Sequence, residues 1–376
     1  MSSETLNKIP IVDLSLNYKL LKSEIEQAVC EVLESGRYVL GANVKALEED
    51  LSKYLQISNS ITCANGTDAL ILSLKALGIK EGDEVITPSH SFFATSEAIA
   101  LVGARPVFAD IWEADFNIDP SSIEKLITKK TKAIIPVHLY GQPCDIQSIV
   151  EIARKYKLYV VEDCAQAIGA KYNGKSVGTF GDIGTFSFFP TKNLGAFGDA
   201  GALVTNNVEI AERLKYLRTH GSIKRYHHKY IGLNSRLDEI QAAILRIKFK
   251  HLEEWNQKRK KAAAYYDELF KDVKEVIVPS LKPGAEHTFH QYTIRIEQRD
   301  LLCEKLNNYG VEAIIYYPIP SHLQEAFNYL GYKKGSLPIT ERVCDEILSL
   351  PMYPEITRSI QEYVVDLIKQ ILLGKE

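Results

Sequence analysis

Between residues 60 and 205, short apolar stretches alternate with stretches of helical spacing, such as residues 68–77 and 145–156. Several apolar stretches, including AIIPV and LYVVE, are continuous, which is typical of strands covered on both faces of a parallel sheet. Strands that alternate with helices predict an α/β sandwich with right-handed crossovers. The predicted strands cover residues 60–63, 84–87, 106–109, 133–137, 159–162, 184–188 and 202–205.

The pattern changes after about residue 235, where mixed helices and strands replace the regular alternation. We therefore predict two domains, a large α/β domain at residues 10–245 with a mostly parallel seven-stranded sheet, and a smaller C-terminal α+β domain at 246–376. The helices near residues 18–55 could pack on either domain. The elements predicted in the C-terminal part are one long helix at 236–271, which has no glycine or proline, a strand at 290–296, a helix at 300–308 and a short strand at 311–315.

Charge and composition exclude several classes of protein. The 376 residues include 45 basic and 48 acidic side chains, so the formal net charge of −3 argues against a broad nucleic-acid-binding face. No apolar stretch approaches the ~20 residues of a membrane span. Residues 1–14 show neither a basic nor an apolar segment of a signal peptide, so we expect a cytoplasmic protein. The six scattered cysteines contain no CxxC pair, and the nine histidines have no metal-binding spacing, so no metal site is expected.

Residues 169–176 fit the nucleotide-binding expression GxxxxGK[ST], but the context is wrong for an ATP site. A phosphate-binding loop must lead directly into a helix, and residues 177–181 are a poor helix start. The pair Asn173-Gly174 predicts a hairpin turn instead.

Three segments that follow predicted strands carry residues suited to chemistry, although each has an ordinary alternative. The segment NGTDAL at 65–70 opens a helix whose N–H groups could bind an anion, or it could be a plain capping turn. Asp163 ends a strand at the edge where open α/β sheets bind ligands, or it could cap the next helix. Lys192 lies in a loop of small residues, where a desolvated amine could attack a carbonyl, or it could be a solvated loop lysine.

Taken together, these segments match the needs of pyridoxal phosphate. The anion cup and the hydroxyl of Ser187 suit the phosphate, and the aromatic segment 91–93 suits stacking on the pyridine. Asp163 suits the protonated ring nitrogen. Lys192 suits the aldehyde, with which it would form an aldimine before it shuttles a proton.

The chain resembles the fold-type I pyridoxal-phosphate enzymes of the DegT/DnrJ/StrS nucleotide-sugar aminotransferase family. The resemblance extends from about residue 9 to about residue 354, nearly the whole chain. It rests on the stretches GRYVLG (36–41), CANGTDAL (63–70), GDEVITPSHSFFAT (82–95), KAIIPVHLYG (132–141), VVEDCAQAIGA (160–170), SFFPTKNLGAFGDAGA (187–202), GLNSRLDEIQAAIL (232–245) and YYPIPSHLQ (316–324).

The resemblance implies a role for each matching residue near the cofactor. Lys192 should carry the internal aldimine, Asp163 should pair with the pyridine nitrogen, and Gln166 should contact the ring hydroxyl. Phe92 should stack on the ring, where other members often have Trp or Tyr. The residues expected to hold the phosphate are Gly66, Thr67, Asp68, Ser187 and, from a second subunit, Asn234. A homodimer with shared active sites follows, although Asn234-Ser235 could also cap the next helix.

The combination RYHH…NSRLD resembles members that aminate C3 of a 3-keto nucleotide sugar. A solvated, mobile loop is the alternative for residues 225–228. The candidate substrate-binding residues are Tyr38, Arg225, Tyr226, His227, His228, Arg236, Tyr316, Tyr317 and His322.

The residue at position 192 decides the expected reaction. Relatives with His at the place of Lys192 are sugar dehydratases, so Lys implies transamination. L-Glutamate should give its amine to the cofactor, and a dTDP-linked 3-keto-6-deoxyhexose should take it at C3. A UDP-linked 3-keto sugar and a C4 aminotransferase are alternatives. A non-catalytic regulatory relative that kept the fold is the rival from another class.

Overall fold

A computed structural model describes residues 8–374 of the chain. The α-helices in this part are α1 (Leu14–Ser35), α2 (Ala42–Leu55), α3 (Gly66–Ala76), α4 (Ala94–Leu101), α5 (Pro120–Ile123), α6 (Ile146–Tyr156), α7 (Val208–Leu217), α8 (Glu239–Phe249), α9 (Leu252–Phe270), α10 (Arg299–Asn308), α11 (Pro338–Glu346) and α12 (Arg358–Leu372). The strands are β1 (Asn59–Cys63), β2 (Glu84–Pro88), β3 (Arg105–Ala109), β4 (Thr131–Ile134), β5 (Tyr159–Asp163), β6 (Lys171–Tyr172), β7 (Lys175–Ser176), β8 (Ile183–Ser187), β9 (Gly201–Thr205), β10 (Ser222–Lys224), β11 (His227–His228), β12 (Ala285–Glu286), β13 (Tyr292–Arg295) and β14 (Ile347–Leu350).

Seven strands form the central sheet, in the order β1-β9-β8-β5-β4-β2-β3. β9 runs antiparallel to both of its neighbours, and the other neighbouring strands are parallel. These are the seven strands that the apolar stretches predict, so the α/β fold with a mostly parallel sheet is confirmed. Because six strands point the same way, their carboxyl ends meet at one edge, where such sheets bind ligands.

β4 ends at Ile134, three residues earlier than predicted, and Pro136 explains the difference. Proline has no N–H to donate to a ladder. Its carbonyl still accepts the Asp163 N–H at 2.9 Å, and Val137 forms an isolated bridge with Asp163. The chain therefore follows the sheet as far as Asp163 without forming a regular strand.

The single long helix predicted at 236–271 is wrong, because two helices, α8 and α9, replace it. The N–H groups of Lys250 and His251 each donate to a carbonyl three residues earlier, which tightens the chain and ends α8. Trp255 of α9 can then fold back onto the core that also contains Ile244 and Ile247 of α8. No glycine or proline marks this break, so the sequence pattern does not reveal it.

The short strand predicted at 311–315 is also wrong. Val311 forms a parallel bridge with Ile9, whereas Ile314 forms an antiparallel bridge with Ser349 of β14. Because the segment changes partner between these residues, no continuous ladder forms. The predicted strand at 290–296 and helix at 300–308 are present as β13 and α10, and β13 pairs with β14.

The C-terminal part of the chain has its own hydrophobic core. Its buried members all come from residues 262–371, and the rings of Tyr266 and Tyr292 stack at 4.8 Å inside it. The predicted division into domains at 10–245 and 246–376 agrees with this core but remains a proposal.

The stretch at 169–176 forms the predicted hairpin, in which β6 and β7 pair. Asn173 and Gly174 have φ values of 49° and 76°, the left-handed conformations that a tight hairpin turn of type I′ requires. No helix follows the Lys-Ser pair within the described chain until α7.

Among residues 8–374, no helix has the length and apolar character needed to cross a bilayer. Residues 1–7, on which the export prediction partly rests, lie outside the described part of the chain.

Candidate active site

The start of α3 meets the end of β8 at the carboxyl edge of the central sheet. A Cβ added to Gly66 would lie only 2.7 Å from the Cβ of Ser187, so a larger residue would not fit. A Cβ added to Gly201, which pairs with Ser187, would lie 2.5 Å from the backbone of Asn65. The start of α3, the end of β8 and the start of β9 therefore pack closely around Gly66.

The first turn of α3 offers N–H groups that suit an anion. The side chain of Asn65 caps the helix and accepts the Asp68 N–H at 2.7 Å. Among the residues from 8 to 374, the N–H groups of Gly66 and Thr67 have no acceptor. Free N–H groups at a helix N-terminus beside the Ser187 hydroxyl suit a phosphate. The capping turn and the anion cup, which the sequence leaves as alternatives, can therefore coexist.

Asp163 is a buried carboxylate with a hydrogen bond to each oxygen. Oδ1 accepts the Ala165 N–H at 3.1 Å, and Oδ2 accepts the Thr95 hydroxyl at 2.8 Å. Burial raises the pKa of Asp163, while these two bonds and the charge of Lys192 oppose that rise. The side chain therefore depends on its donors to stay ionised.

Lys192 lies in the loop between β8 and β9, within electrostatic range of Asp163. Desolvation lowers its pKa to about 8, although the charge of Asp163 pulls in the other direction. At pH 7 about a tenth of the amine is therefore unprotonated, far more than for a solvated lysine, and a nucleophilic lysine needs this neutral form. An ordinary solvated lysine would not show this shift.

The loop that carries Lys192 is anchored through the next residue. The side chain of Asn193 donates to Asn256 Oδ1 at 2.9 Å and to the Thr288 carbonyl at 3.1 Å, and its Oδ1 contacts His290 Nδ1 at 3.2 Å. Asn193 is 5% exposed, so these bonds hold the loop in a dry setting.

Gln166 belongs to a cluster of tyrosines and Phe92. Its Oε1 accepts the Tyr140 N–H at 2.6 Å, and its Nε2 donates to the Tyr317 hydroxyl at 3.1 Å. The Tyr317 ring lies 5.7 Å from the ring of Phe92, which is 56% exposed and thus offers a free aromatic surface. The Tyr140 hydroxyl donates to the Tyr316 carbonyl, so four of the predicted residues meet here.

His322 is buried and both of its ring nitrogens are engaged. Nδ1 contacts the Ser89 hydroxyl at 2.7 Å, and Nε2 contacts Glu341 at 3.1 Å. His322 is 2% exposed, and both of its nitrogens have protein partners, so its predicted contact with the substrate stays a prediction.

The predicted substrate residues at 225–228 form an exposed hairpin of β10 and β11. Arg225 stacks on the neighbouring Tyr226, which is 80% exposed, and His228 contacts the carbonyl of His220 at 2.9 Å. Within the described chain the hydrogen bonds of side chains 225–228 stay inside 220–228, so none of them links the hairpin to Lys192.

The segment that carries Asn234 and Arg236 contacts both Ala64, which follows β1, and the segment of Tyr38. Asn234 is exposed, and the hydroxyl of the next residue, Ser235, accepts the Ala64 N–H at 3.1 Å. Tyr38 is 48% exposed, and the adjacent residue 39 bridges residue 238. The helix cap considered for Asn234-Ser235 is wrong, because α8 begins at residue 239 after the turn.

His138, Glu162 and Cys164 lie together under the site, but their bonds do not suit a metal. Nδ1 of His138 accepts the Cys144 N–H at 3.2 Å, so Nε2 carries the proton and donates to Glu162 at 3.1 Å. Glu162 also accepts three backbone N–H groups at 2.7 to 2.8 Å. The histidine has no free lone pair, and we interpret the cluster as structural.

Sequence reasoning did not single out Thr95, Asn193 or Glu162. Thr95 and Asn193 fall inside stretches that carry the family resemblance, at 82–95 and 187–202. Thr95 contacts Asp163, 68 residues away, and the partners of Asn193 are 63 or more residues away, so only the fold reveals these contacts.

Comparisons with known proteins show the family to which the chain belongs. Residues 19–369 match the model of the DegT/DnrJ/EryC1/StrS aminotransferase family. A "pleiotropic regulatory protein" of Geobacillus stearothermophilus is 50% identical over 364 residues, 96% of this chain and 98% of that protein. A dTDP-3-amino-3,6-dideoxy-alpha-D-galactopyranose transaminase of Aneurinibacillus thermoaerophilus is 46% identical over 362 residues, 96% and 99% of the two chains. A UDP-N-acetyl-3-dehydro-alpha-D-glucosamine 3-aminotransferase of Acidithiobacillus ferrooxidans is 44% identical over 366 residues, 97% and 98% of the two chains.

Solved structures lead to the same family. DesV of Streptomyces venezuelae, crystallised with a ketimine intermediate, superposes with a TM-score of 0.94 at 41% identity, over 97% of this chain and 98% of that one. The family depends on pyridoxal phosphate, and related structures contain the cofactor in its pyridoxamine form. The chain belongs to the DegT/DnrJ/EryC1/StrS aminotransferase family and is a pyridoxal-phosphate-dependent nucleotide-sugar aminotransferase.

Proposed function

We propose that the protein transfers an amino group from L-glutamate to C3 of a dTDP-linked 3-keto-6-deoxyhexose, in the biosynthesis of a deoxyamino sugar. The observation that carries this proposal is the agreement between relatives on the position of the amine. The Aneurinibacillus and Acidithiobacillus proteins are both named for an amine at C3, although one is named for a dTDP sugar and the other for a UDP sugar. Position C3 therefore has firmer support than the nucleotide, and a UDP-linked 3-keto sugar is the second candidate.

The residues of this chain fit pyridoxal phosphate at the sheet edge. The N–H groups of Gly66 and Thr67 and the hydroxyl of Ser187 would hold the phosphate, in the cradle that an added Cβ would fill. Asp163 would hold the ring nitrogen, and the exposed face of Phe92 would cover the ring. When bound, the cofactor supplies an electron sink for the carbon that loses or gains the proton.

Lys192 is the residue that would attach the cofactor and move the proton. With a pKa lowered to about 8, its amine can be neutral when it attacks and can pick up a proton afterwards. The anchored side chain of Asn193 limits how far the loop can carry the amine, which favours repeated transfer at one position. Gln166, fixed by the Tyr140 N–H, keeps its amide nitrogen as a donor for the ring hydroxyl.

A second copy of the chain would complete the site in this proposal. Asn234 is exposed beside the α3 cup, and the nearby Tyr38, Val39 and Leu40 are each 38 to 48% exposed. Such a patch of large apolar side chains at a site edge suits an interface between copies. Arg225 to His228, on the exposed hairpin, would then act on the sugar side of a partner's site.

Subunit sharing can be tested with two inactive variants. Asn234→Ala should weaken cofactor retention, and Lys192→Ala should lose attachment. Mixing the two should restore part of the activity, because a mixed dimer contains one site with both native residues. Activity that stays absent in verified mixed dimers would contradict the shared site, and Lys192→Ala mixed with itself is the matched control.

The substrate can be tested with a panel of nucleotide sugars. Purified protein loaded with cofactor is given glutamate and dTDP- or UDP-linked 3-keto and 4-keto hexoses, and the amine product is identified by mass and NMR. We expect product with the dTDP-linked 3-keto sugar and none from the Lys192→Ala variant. Product from 4-keto sugars alone would refute C3, and no change of the cofactor absorption with any amino donor would favour a regulatory role.

A further inference from the structure

Three buried residues form a hydrogen-bonded chain that ends on Asp163. The Ser91 hydroxyl lies 2.9 Å from the Thr95 hydroxyl, which lies 2.8 Å from Oδ2 of Asp163. The three residues are 6%, 2% and 5% exposed, so water does not replace these bonds easily. Ser91 and Thr95 come from the segment that starts α4, whereas Asp163 ends β5.

The direction of this chain follows from the chemistry of the groups. An ionised carboxylate only accepts, so the Thr95 hydroxyl must donate to Asp163. The Thr95 oxygen can then accept from Ser91, whose hydroxyl donates. Hydroxyls linked in this order polarise one another and strengthen the last bond, which stabilises a negative charge on Asp163.

Few positively charged groups near Asp163 could stabilise its negative charge in the same way. The groups that face it are Lys192 from the loop after β8, His138 from the loop after β4, and the neutral side chains of Tyr317 and Cys164. Nδ1 of His138 accepts the Cys144 N–H, and Nε2 donates to Glu162, so neither ring nitrogen donates a hydrogen bond to Asp163. The Lys192 amine must be neutral to act as a nucleophile, so its ammonium charge would not stabilise Asp163 at that stage. The two hydroxyls and the Ala165 N–H then remain to offset burial.

We propose that Thr95, supported by Ser91, is a positioning residue that keeps the Asp163 carboxylate ionised and oriented toward the cofactor ring nitrogen. This inference rests on the proposed pairing of Asp163 with that nitrogen. Loss of the Thr95 hydroxyl removes a hydrogen bond to a charged group. The shared proton should therefore move toward the carboxylate, with the ratio of protonated to neutral ring nitrogen about 10- to 100-fold lower.

The test compares Thr95→Val, Thr95→Ser, Ser91→Ala and Asp163→Asn with the native enzyme. Each protein is loaded with pyridoxal phosphate labelled with ¹⁵N in the ring, and the nitrogen chemical shift is measured at neutral pH in the resting enzyme. We expect the native signal to report a protonated nitrogen and the Thr95→Val signal to move toward the neutral value. Thr95→Ser should keep the native position, and Ser91→Ala should move less than Thr95→Val. In turnover, Thr95→Val should lower kcat and leave KM for the keto sugar unchanged.

The outcomes separate this inference from the proposed site. A native-like signal in Thr95→Val, together with a displaced signal in Asp163→Asn, would overturn the role of Thr95 alone. An unchanged signal in Asp163→Asn would overturn the pairing of Asp163 with the ring nitrogen as well. If Thr95→Val does not fold, as judged by circular dichroism, Ser91→Ala decides: a native position would refute the hydroxyl chain and a displacement would support it.

Discussion

Replacing Lys192 with methionine should stabilise the cofactor-free protein at neutral pH. Methionine has a similar length and no charge, so the change removes the cost of holding an ammonium group in a desolvated place. Burial lowers the pKa of Lys192 from 10.5 to about 8, which means that the folded protein disfavours the charged form. Lys192 would therefore lower the stability of the folded protein, although the proposed reaction requires it.

The magnitude follows from the difference between the two pKa values. One pH unit corresponds to about 1.4 kcal/mol, so the drop from 10.5 to about 8 amounts to a cost of about 3 kcal/mol as an upper value. The cost is complete below pH 8, where lysine is charged in both the folded and the unfolded protein. Between pH 8 and 10.5 the unfolded state binds more protons, so stability rises with pH and the cost disappears.

Urea unfolding of the cofactor-free proteins measures this effect. Lys192→Met should raise the free energy of unfolding by about 2 to 3 kcal/mol at pH 7. At pH 10 the difference from the native protein should fall below about 1 kcal/mol. The m-value should stay the same, since the folded structures match.

Lys248→Met is the matched control, because burial also lowers the pKa of Lys248 to about 8. Lys248 donates to the buried carbonyl of Gly195, so its removal relieves one cost and creates another of about 1–3 kcal/mol. The control should therefore gain much less stability. Equal gains in both variants, or a gain for Lys192→Met that does not change with pH, would refute the reasoning.

Two further substitutions test the structure around the site. Glu162→Gln should lower the free energy of unfolding by about 3–5 kcal/mol, because its amide nitrogen would face two buried N–H groups from which Glu162 now accepts hydrogen bonds. Urea unfolding measures the change, with Glu254→Gln on the surface as the control. A loss below about 1 kcal/mol would contradict the prediction. Asn193→Ala should leave the protein folded yet lower kcat about tenfold or more, because the loop of Lys192 loses three hydrogen bonds. An unchanged kcat in steady-state assays would show that the Asn193 side chain has no role in catalysis.

The sequence predicts the central sheet well because short continuous apolar stretches are typical of strands that are buried on both faces. It also brings Asp163, Ser187 and the start of α3 to one edge, because parallel strands share the direction of their carboxyl ends. The order of strands and helices in the sequence is therefore enough to predict which residues could bind the cofactor.

Other features depend on contacts that no local pattern encodes. The break at Lys250 and His251 has no glycine or proline, and it places Trp255 of α9 in the same core as Ile244 and Ile247 of α8. The segment at 311–315 has strand-like composition but divides its pairing between Ile9 and Ser349. The family resemblance predicts that His322 binds substrate, but it does not reveal that Ser89 and Glu341 contact both of its ring nitrogens.

The anchoring of Asn193 has a consequence for engineering. Its amide depends on Asn256 in α9 and on the main chain and ring at 288–290, which belong to regions far from the lysine loop in sequence. A designer who transplants the stretch 187–202 into a homologous scaffold would have to transfer those three distant partners with it. The smallest exchangeable unit of this enzyme is therefore a set of residues that contact one another in space and not a contiguous stretch of sequence.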